Sequence, residues 1–345
     1  ILYTKLTWLI KIDYYRLRNM KRYKKKRESF FSKIVNFTLT ILIACAIGSQ
    51  VCTAANNNLR IAQVSDAHFS SFEDNTSYKF LKKSGELLDD VVFQINTSGP
   101  YDFVMFTGDL VNKPKISELE KFTEHVNKLV YPWYAIDGNH DISIDGPLTK
   151  SKFIEILANA NDNMNQKNIY YAFTPKKGFR VICLDSIIDY KLTSNGEINN
   201  KEYLWLEQEL IEHKDDTVIV CSHVPIIEPF SSPNHKMLNE YEVRKLLKTH
   251  ENPIIVLQGH YHATKIKQDD NMLVIASPSL VTYPNAFRVI NINSNKNRTL
   301  VDVYLKETNL KDIQSRSKLR LMGSERLYGE ESDRNASFEL GRKNK

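Results

Sequence analysis

Cysteine is scarce in this sequence: 345 residues hold four, and two of these, Cys45 and Cys52, lie near the amino end. A small scaffold stapled by disulfides is therefore excluded. Cys183 and Cys221 are left for the body of the chain, both in strand-like runs, and are expected to be buried free thiols rather than a disulfide pair. No internal repeat is present. The one conspicuous apolar run, residues 34–47, is interrupted by Asn and Thr and is shorter than the roughly 20 residues of a comfortable transmembrane span. Excess positive charge is missing from the body as well. The formal charge is +6, but residues 1–55 carry +9, so residues 56–345 carry −3 and offer no track for extended nucleic acid. A hydrophobic content of 42% with 10% aromatics excludes wholesale disorder and is enough for a sizeable core.

What the amino end does contain is the layout of an export signal. Residues 21–33 are strongly basic, residues 34–47 are apolar, and Cys52, Thr53 and Ala54 supply small residues for cleavage before Ala55. Met20 precedes the basic stretch, so residues 1–19 are expected to be an upstream extension and residues 20–55 a signal peptide. Leu42-Ile43-Ala44-Cys45 also resembles a bacterial lipobox, which would make the segment a lipoprotein anchor; simple cleavage ranks slightly ahead. Either route places the body in the periplasm or outside the cell, touching membrane only through this segment.

Five strand-like runs organise the rest, because each stops abruptly at Asp, His or Asn. Residues 60–64 lead to Asp66 and His68, 103–106 to Asp109, and 133–136 to Asn139, His140 and Asp141. Residues 218–221 lead to His223, and 254–257 to His260 and His262. In α/β sheets ligands bind beyond the carboxyl ends of strands, so these ends are expected to converge on one crevice. Between them the periodicity predicts helices over residues 78–96, 117–129, 201–213 and 240–250, with Ser117 and Glu120 as a capping box. Residues 272–276, 286–292 and 300–305 read as further antiparallel strands. Residues 306–345 are mixed in charge and read as a solvated polar tail, with a helical turn near residues 319–322.

Asp66, His68, Asp109, Asn139, His223, His260 and His262 form an inventory of carboxylate, imidazole and amide oxygen with no thiolate, which suits Mn, Fe or Zn. Seven ligands are too many for one ion with an open position, and Asp109 is the natural bridge between two. Asp185 reads as structural. His125, His213, His235 and His250 fall in helices or loops without a partner pattern and are assigned no functional role.

Asp-X-His, Gly-Asp, Gly-Asn-His-Asp, a lone His after a strand and Gly-His-X-His, in that order from residue 61 to about 292, resemble the calcineurin-like metallophosphoesterase superfamily. The details look most like its class III cyclic nucleotide phosphodiesterases. The resemblance implies a four-layer α/β/β/α sandwich of two mixed sheets over residues 56–305. It places Asp66, His68 and His262 on one divalent ion, Asn139, His223 and His260 on the other, and Asp109 on both. His140 then faces substrate beside Asn139 and His223, with Asp141 orienting its ring. The implied reaction is hydrolysis of a small phosphodiester or phosphomonoester by a metal-bridging hydroxide, aided by proton donation from His140. A non-catalytic scaffold of the same fold, a nuclease and a phospholipid-type diesterase are the alternatives. Asp137 stands where these enzymes commonly carry proline and would add a carboxylate near the site. Tyr283 and Phe287 are candidates to stack on a substrate ring, though packing is the favoured role.

Overall fold

A computed structural model describes residues 57–321 and 325–342. The expected upstream extension and signal or anchor segment lie outside the described residues. In chain order the first half runs β1 (Asn57–Val64), α1 (Ser84–Ser98), β2 (Phe103–Thr107), α2 (Ile116–Val126), β3 (Trp133–Ile136), α3 (Lys150–Ala160), β4 (Tyr171–Phe173) and β5 (Phe179–Cys183). The second half runs α4 (Asn200–Glu212), β6 (Thr217–Ser222), α5 (Glu240–Leu247), β7 (Ile254–Gln258), β8 (Lys265–Asp269), β9 (Met272–Ala276), β10 (Ala286–Ser294) and β11 (Arg298–Glu307). It closes with α6 (Lys311–Arg320), α7 (Glu325–Tyr328), α8 (Glu331–Arg334) and β12 (Ala336–Gly341).

Two six-stranded sheets result, ordered β12-β11-β10-β1-β2-β3 and β4-β5-β6-β7-β9-β8. Both are mixed. β1, β2 and β3 run parallel while β10, β11 and β12 are antiparallel; β5, β6, β7 and β9 run parallel while β4 and β8 pair antiparallel at the edges. The continuous apolar runs of β2, β6 and β7 follow from burial on both faces, since helices cover one side of a parallel strand and the second sheet the other. Cross-sheet contacts fix the two layers together. Tyr134 stacks on Phe173 with centroids 3.8 Å apart, Gln63 donates to the Gln258 carbonyl at 3.1 Å, and Tyr171 donates to the Ala135 carbonyl at 2.9 Å. The four-layer expectation holds.

Several local expectations change. α1 begins six residues later than its apolar spacing implies: residues 81–83 form a 3-10 turn ahead of it, and Lys79, Phe80 and Leu81 are buried. α2 starts at Ile116 without a capping box; the acidic residue of its first turn, Glu118, accepts instead from the Ser71 backbone N–H and hydroxyl at 2.6 Å. β9 pairs antiparallel with β8, as expected, but parallel with β7, and β8 had no apolar signal because only one of its five residues is buried. Cys183 and Cys221 are free, buried and opposite each other on β5 and β6, as two thiols.

The largest correction concerns residues 306–321 and 325–342, which do not form a solvated tail. β12 pairs with β11 along six residues, and Ile313 and Leu340 are buried. Fully buried Arg288 donates to the Asp333 carbonyl at 2.6 Å and the Ala276 carbonyl at 2.9 Å, tying α8 to both sheets. Sparse apolar residues concealed this segment because it is held by backbone pairing and ion pairs. Phe287 is buried in the core, and Tyr283 packs beside Tyr328, so packing accounts for both.

Behind the site, Asp185 is structural as expected. It pairs with Lys150 at 2.7 Å, and its backbone N–H donates to buried Glu202 at 2.8 Å. Burial and the Asp185 charge push the Glu202 carboxyl up to about 9. A carboxyl whose folded value exceeds its unfolded one contributes stability that is complete below the unfolded value and is lost as pH rises through the folded one. The stability of the wild type relative to Glu202→Gln should therefore fall between pH 5 and 9, by up to about 1.4 kcal/mol per pH unit. Urea unfolding of both proteins across that window measures it; parallel curves would contradict it.

Candidate metal centre

β1, β2 and β3 of one sheet and β6 and β7 of the other deliver their polar residues to one end of the sandwich. There Asp66, His68, Asp109 and His262 direct ligand-type atoms to within 4.8 Å of one another, and Asp109, His223 and His260 form a second such group. All six side chains are buried. The structure thus brings the predicted carboxylates and imidazoles together in two groups that share Asp109. Asn139 lies on the loop after β3, and its Oδ1 is buried with no hydrogen-bond partner.

The backbone is bent to make this possible. Asp66, His68, Asp109, His260 and His262 all have left-handed φ, between 39° and 71°. Side chains other than glycine adopt this region at a cost of order 1–3 kcal/mol each, and such residues cluster at functional sites. The strain is held by neighbours. The Asp66 and His68 N–H groups donate to the carbonyls of Gly108 and Asp109 at 3.1 and 2.9 Å, and Ser279 Oγ donates to the Asp66 carbonyl at 2.8 Å. Two glycines allow the approach: a Cβ at Gly138 would sit 2.2 Å from Asp109 Oδ1, and one at Gly259 would sit 2.7 Å from Asp66 Oδ2.

The donor atoms are disposed as metal ligands are. His223 Nε2 and His260 Nε2, like Asn139 Oδ1, are buried without a hydrogen-bond partner. His68 Nε2 and His262 Nε2 face each other at 3.0 Å, where at most one proton can lie between them. Asp109 stands 3.5 Å from His68 Nε2 and 3.4 Å from His223 Nε2, and Asp66 stands 3.3 Å from His262 Nε2, all longer than direct charge-assisted bonds. His223 Nδ1 donates to the Thr107 carbonyl at 2.8 Å, which turns Nε2 toward the centre, the arrangement usual for a metal-ligating imidazole. Nitrogen and oxygen donors without thiolate fit divalent first-row ions.

The electrostatics agree. Burial opposes ionisation of Asp109, yet His223, His140 and His68 hold its carboxyl well below the usual range. Burial likewise opposes charge on His223, but Asp109 raises it to about 10. Burial and the His223 charge push His260 down to about 3, and burial and Lys79 depress His68. The carboxylates thus draw a second proton onto His223, at Nε2, and a divalent ion binding there would displace it. Burial and the Asp185 charge hold the Asp137 carboxyl well above the usual carboxylate range.

His140 stands at the edge of the first group, its ring 4.7 Å from that of His68, and its backbone N–H donates to Asp109 Oδ1 at 2.8 Å. The expectation that Asp141 orients this ring is corrected. Asp141 accepts three backbone N–H groups, from Gly138 at 2.8 Å, Val111 at 2.9 Å and Leu110 at 3.1 Å, and so welds the β2 and β3 loops together. The ring is oriented by the Asn112 carbonyl, 2.7 Å from Nδ1. Sequence reasoning missed that contact, because a backbone acceptor leaves no mark in residue type. It also missed Lys79, whose Nζ lies 3.2 Å from His68 Nδ1, and Tyr78, whose ring lies 6.4 Å from that of His262. His235 was set aside as a loop residue, and its ring lies 5.3 Å from that of His260. Only the tertiary fold brings these three to the site.

Comparison with known proteins gives a consistent picture. The family model for calcineurin-like phosphoesterases matches residues 59–264. A probable glycerophosphodiester phosphodiesterase of Arcobacter nitrofigilis is 27% identical over 64% of this chain and 78% of its own length. A probable cyclic nucleotide phosphodiesterase of Moraxella catarrhalis is 25% identical over 60% of this chain and 72% of its own length. Among solved structures, a dimetal phosphatase from Danio rerio shares the fold at a TM-score of 0.56 and 17% identity, covering 73% of this chain and 99% of that one.

Proposed function

This chain belongs to the calcineurin-like phosphoesterase family and is a metal-dependent phosphoester hydrolase, and we propose that it acts on phosphodiesters through a two-metal centre. The observation that carries the reading is the pair of ligand groups sharing Asp109. Asp66, His68 and His262 would hold one divalent ion, Asn139, His223 and His260 the other, and Asp109 both. When bound, the ions supply charge neutralisation at the phosphoryl oxygens and acidify the attacking water. The names of the two relatives, both phosphodiesterases, support a diester over a monoester. A scaffold without activity would be expected to lose ligands, and all seven are kept.

The role of His140 follows from its hydrogen bond. The Asn112 carbonyl can only accept, so Nδ1 carries a proton committed to it, and the proton available for transfer is the one on Nε2. His140 therefore meets the leaving oxygen through Nε2, the position from which it would donate a proton. His140→Ala should lower kcat by about 10²–10⁴-fold for an alkyl leaving group and far less for p-nitrophenolate, which departs without protonation. Equal losses on both would assign His140 to phosphate binding instead.

A direct test is turnover by the metal-stripped chain given Mn²⁺, with bis(p-nitrophenyl) phosphate, p-nitrophenyl phosphate and cyclic AMP. Metal-dependent cleavage favouring the diesters supports the proposal; preference for the monoester overturns it. The basic and apolar amino end supports a further part of the reading, that the protein works outside the cytoplasm. Fractionation of expressing cells tests that, and a cytosolic protein would contradict it.

A further inference from the structure

The metal centre consists of two ligand groups that share Asp109, and each has a further histidine ring against it. His140 lies beside His68 of the first group. Against His260 of the second group lies His235, with ring centroids 5.3 Å apart and planes tilted by 48°. His235 is exposed, yet the loop presenting it is pinned on both sides. On its amino side Glu228 accepts from the Ser232 N–H at 3.1 Å and from the Tyr261 hydroxyl, and Phe230 packs edge-on against Tyr261 at 5.1 Å. On its carboxyl side Met237 is buried, and Gly196 exchanges hydrogen bonds with Lys236 and Leu238 at 3.0 and 2.7 Å. The ring itself is oriented by Ser232 Oγ, 3.0 Å from Nδ1.

We infer that His235 is a substrate-contacting residue that recognises the second ester arm of a phosphodiester. A diester carries two arms on phosphorus and a monoester only one. If the departing arm leaves beside His140, at the first group, the retained arm extends toward the second, where His235, its Nδ1 held by Ser232, presents Nε2. The ligand class is a phosphodiester whose retained arm carries a hydroxyl, ether or carbonyl oxygen near phosphorus. This rests on the phosphodiesterase reading above and adds to it the residue that separates diester from monoester.

The test uses the full chain with His235→Ala and His235→Gln, assayed on glycerophosphoethanolamine as the diester and p-nitrophenyl phosphate as the monoester. Metal content and the Kd for inorganic phosphate are measured on the same samples. His235→Ala should raise KM for the diester about tenfold with kcat within twofold, while monoester hydrolysis, phosphate binding and metal content stay unchanged. His235→Gln, which can still donate a hydrogen bond, should recover part of the loss. Equal losses on both esters, loss of a metal ion, or no change on the diester would each overturn the assignment. A wild type inactive on both esters would instead defeat the phosphodiesterase reading itself.

Discussion

Replacing Asp109 with Asn should abolish hydrolysis, with kcat/KM falling by about 10³-fold or more, and should lower the bound metal below two ions per chain. Asp109 is the one carboxylate common to both ligand groups, so its loss weakens both ions at once. Ions held there would supply several kcal/mol of transition-state stabilisation, a factor of about 10³ or larger. Asn is the informative substitution because its Oδ1 can still accept the His140 N–H, which Asp109 Oδ1 receives at 2.8 Å. The loop carrying His140 is then retained while the negative charge is removed. Steady-state kinetics and elemental analysis of the same preparation check this. An Asn variant with full metal content and normal turnover would mean that Asp109 is not the shared ligand.

Truncation after Glu307 should give a protein that fails to fold or loses the metal site. The removed segment satisfies groups throughout the body. Arg288 would lose the Asp333 carbonyl and keep only that of Ala276, leaving a buried guanidinium underpartnered. β11 would lose its outer neighbour, and the Thr264 N–H, two residues past His262, would lose the Leu327 carbonyl at 2.9 Å. A buried charge deprived of partners costs about 3–5 kcal/mol, set against a total stability of about 5–15 kcal/mol. A milder version is Asp333→Ala. Asp333 holds Lys265 at 2.9 Å and the Ile266 N–H at 3.2 Å, immediately after the strand end that carries His260 and His262. Losing about 2 kcal/mol there should lower Tm by roughly 4–8 °C. Thermal unfolding settles both, and a truncated protein as stable as the full chain would restore the reading of a dispensable tail.

The site was largely legible in the sequence because its chemistry is written in residue type at strand ends. Asp66, Asp109, His223 and His260 each follow a buried apolar run, and the abrupt switch marks where a strand leaves the core. The support around them was not legible. Asn112 acts through its main chain, Asp141 through backbone N–H groups of a neighbouring loop, and His235 through a fold that joins residues 25 apart in sequence to a common edge. The carboxyl end was misread for a related reason. Apolar periodicity reports burial of side chains, whereas α6 to β12 are held chiefly by backbone pairing, by Arg288 reaching carbonyls, and by the Lys265–Asp333 pair. The late start of α1 belongs with these, since residues 78–83 carry helical spacing but precede the helix, with Lys79 against His68.

The most direct test of the central claim is a titration of the metal-stripped full chain with Mn²⁺, following hydrolysis of bis(p-nitrophenyl) phosphate. Two ligand groups sharing Asp109 predict that turnover is absent without metal and rises to a plateau as two ions bind per chain. Turnover that is complete with one ion, or that persists without any, would contradict a two-metal phosphodiesterase.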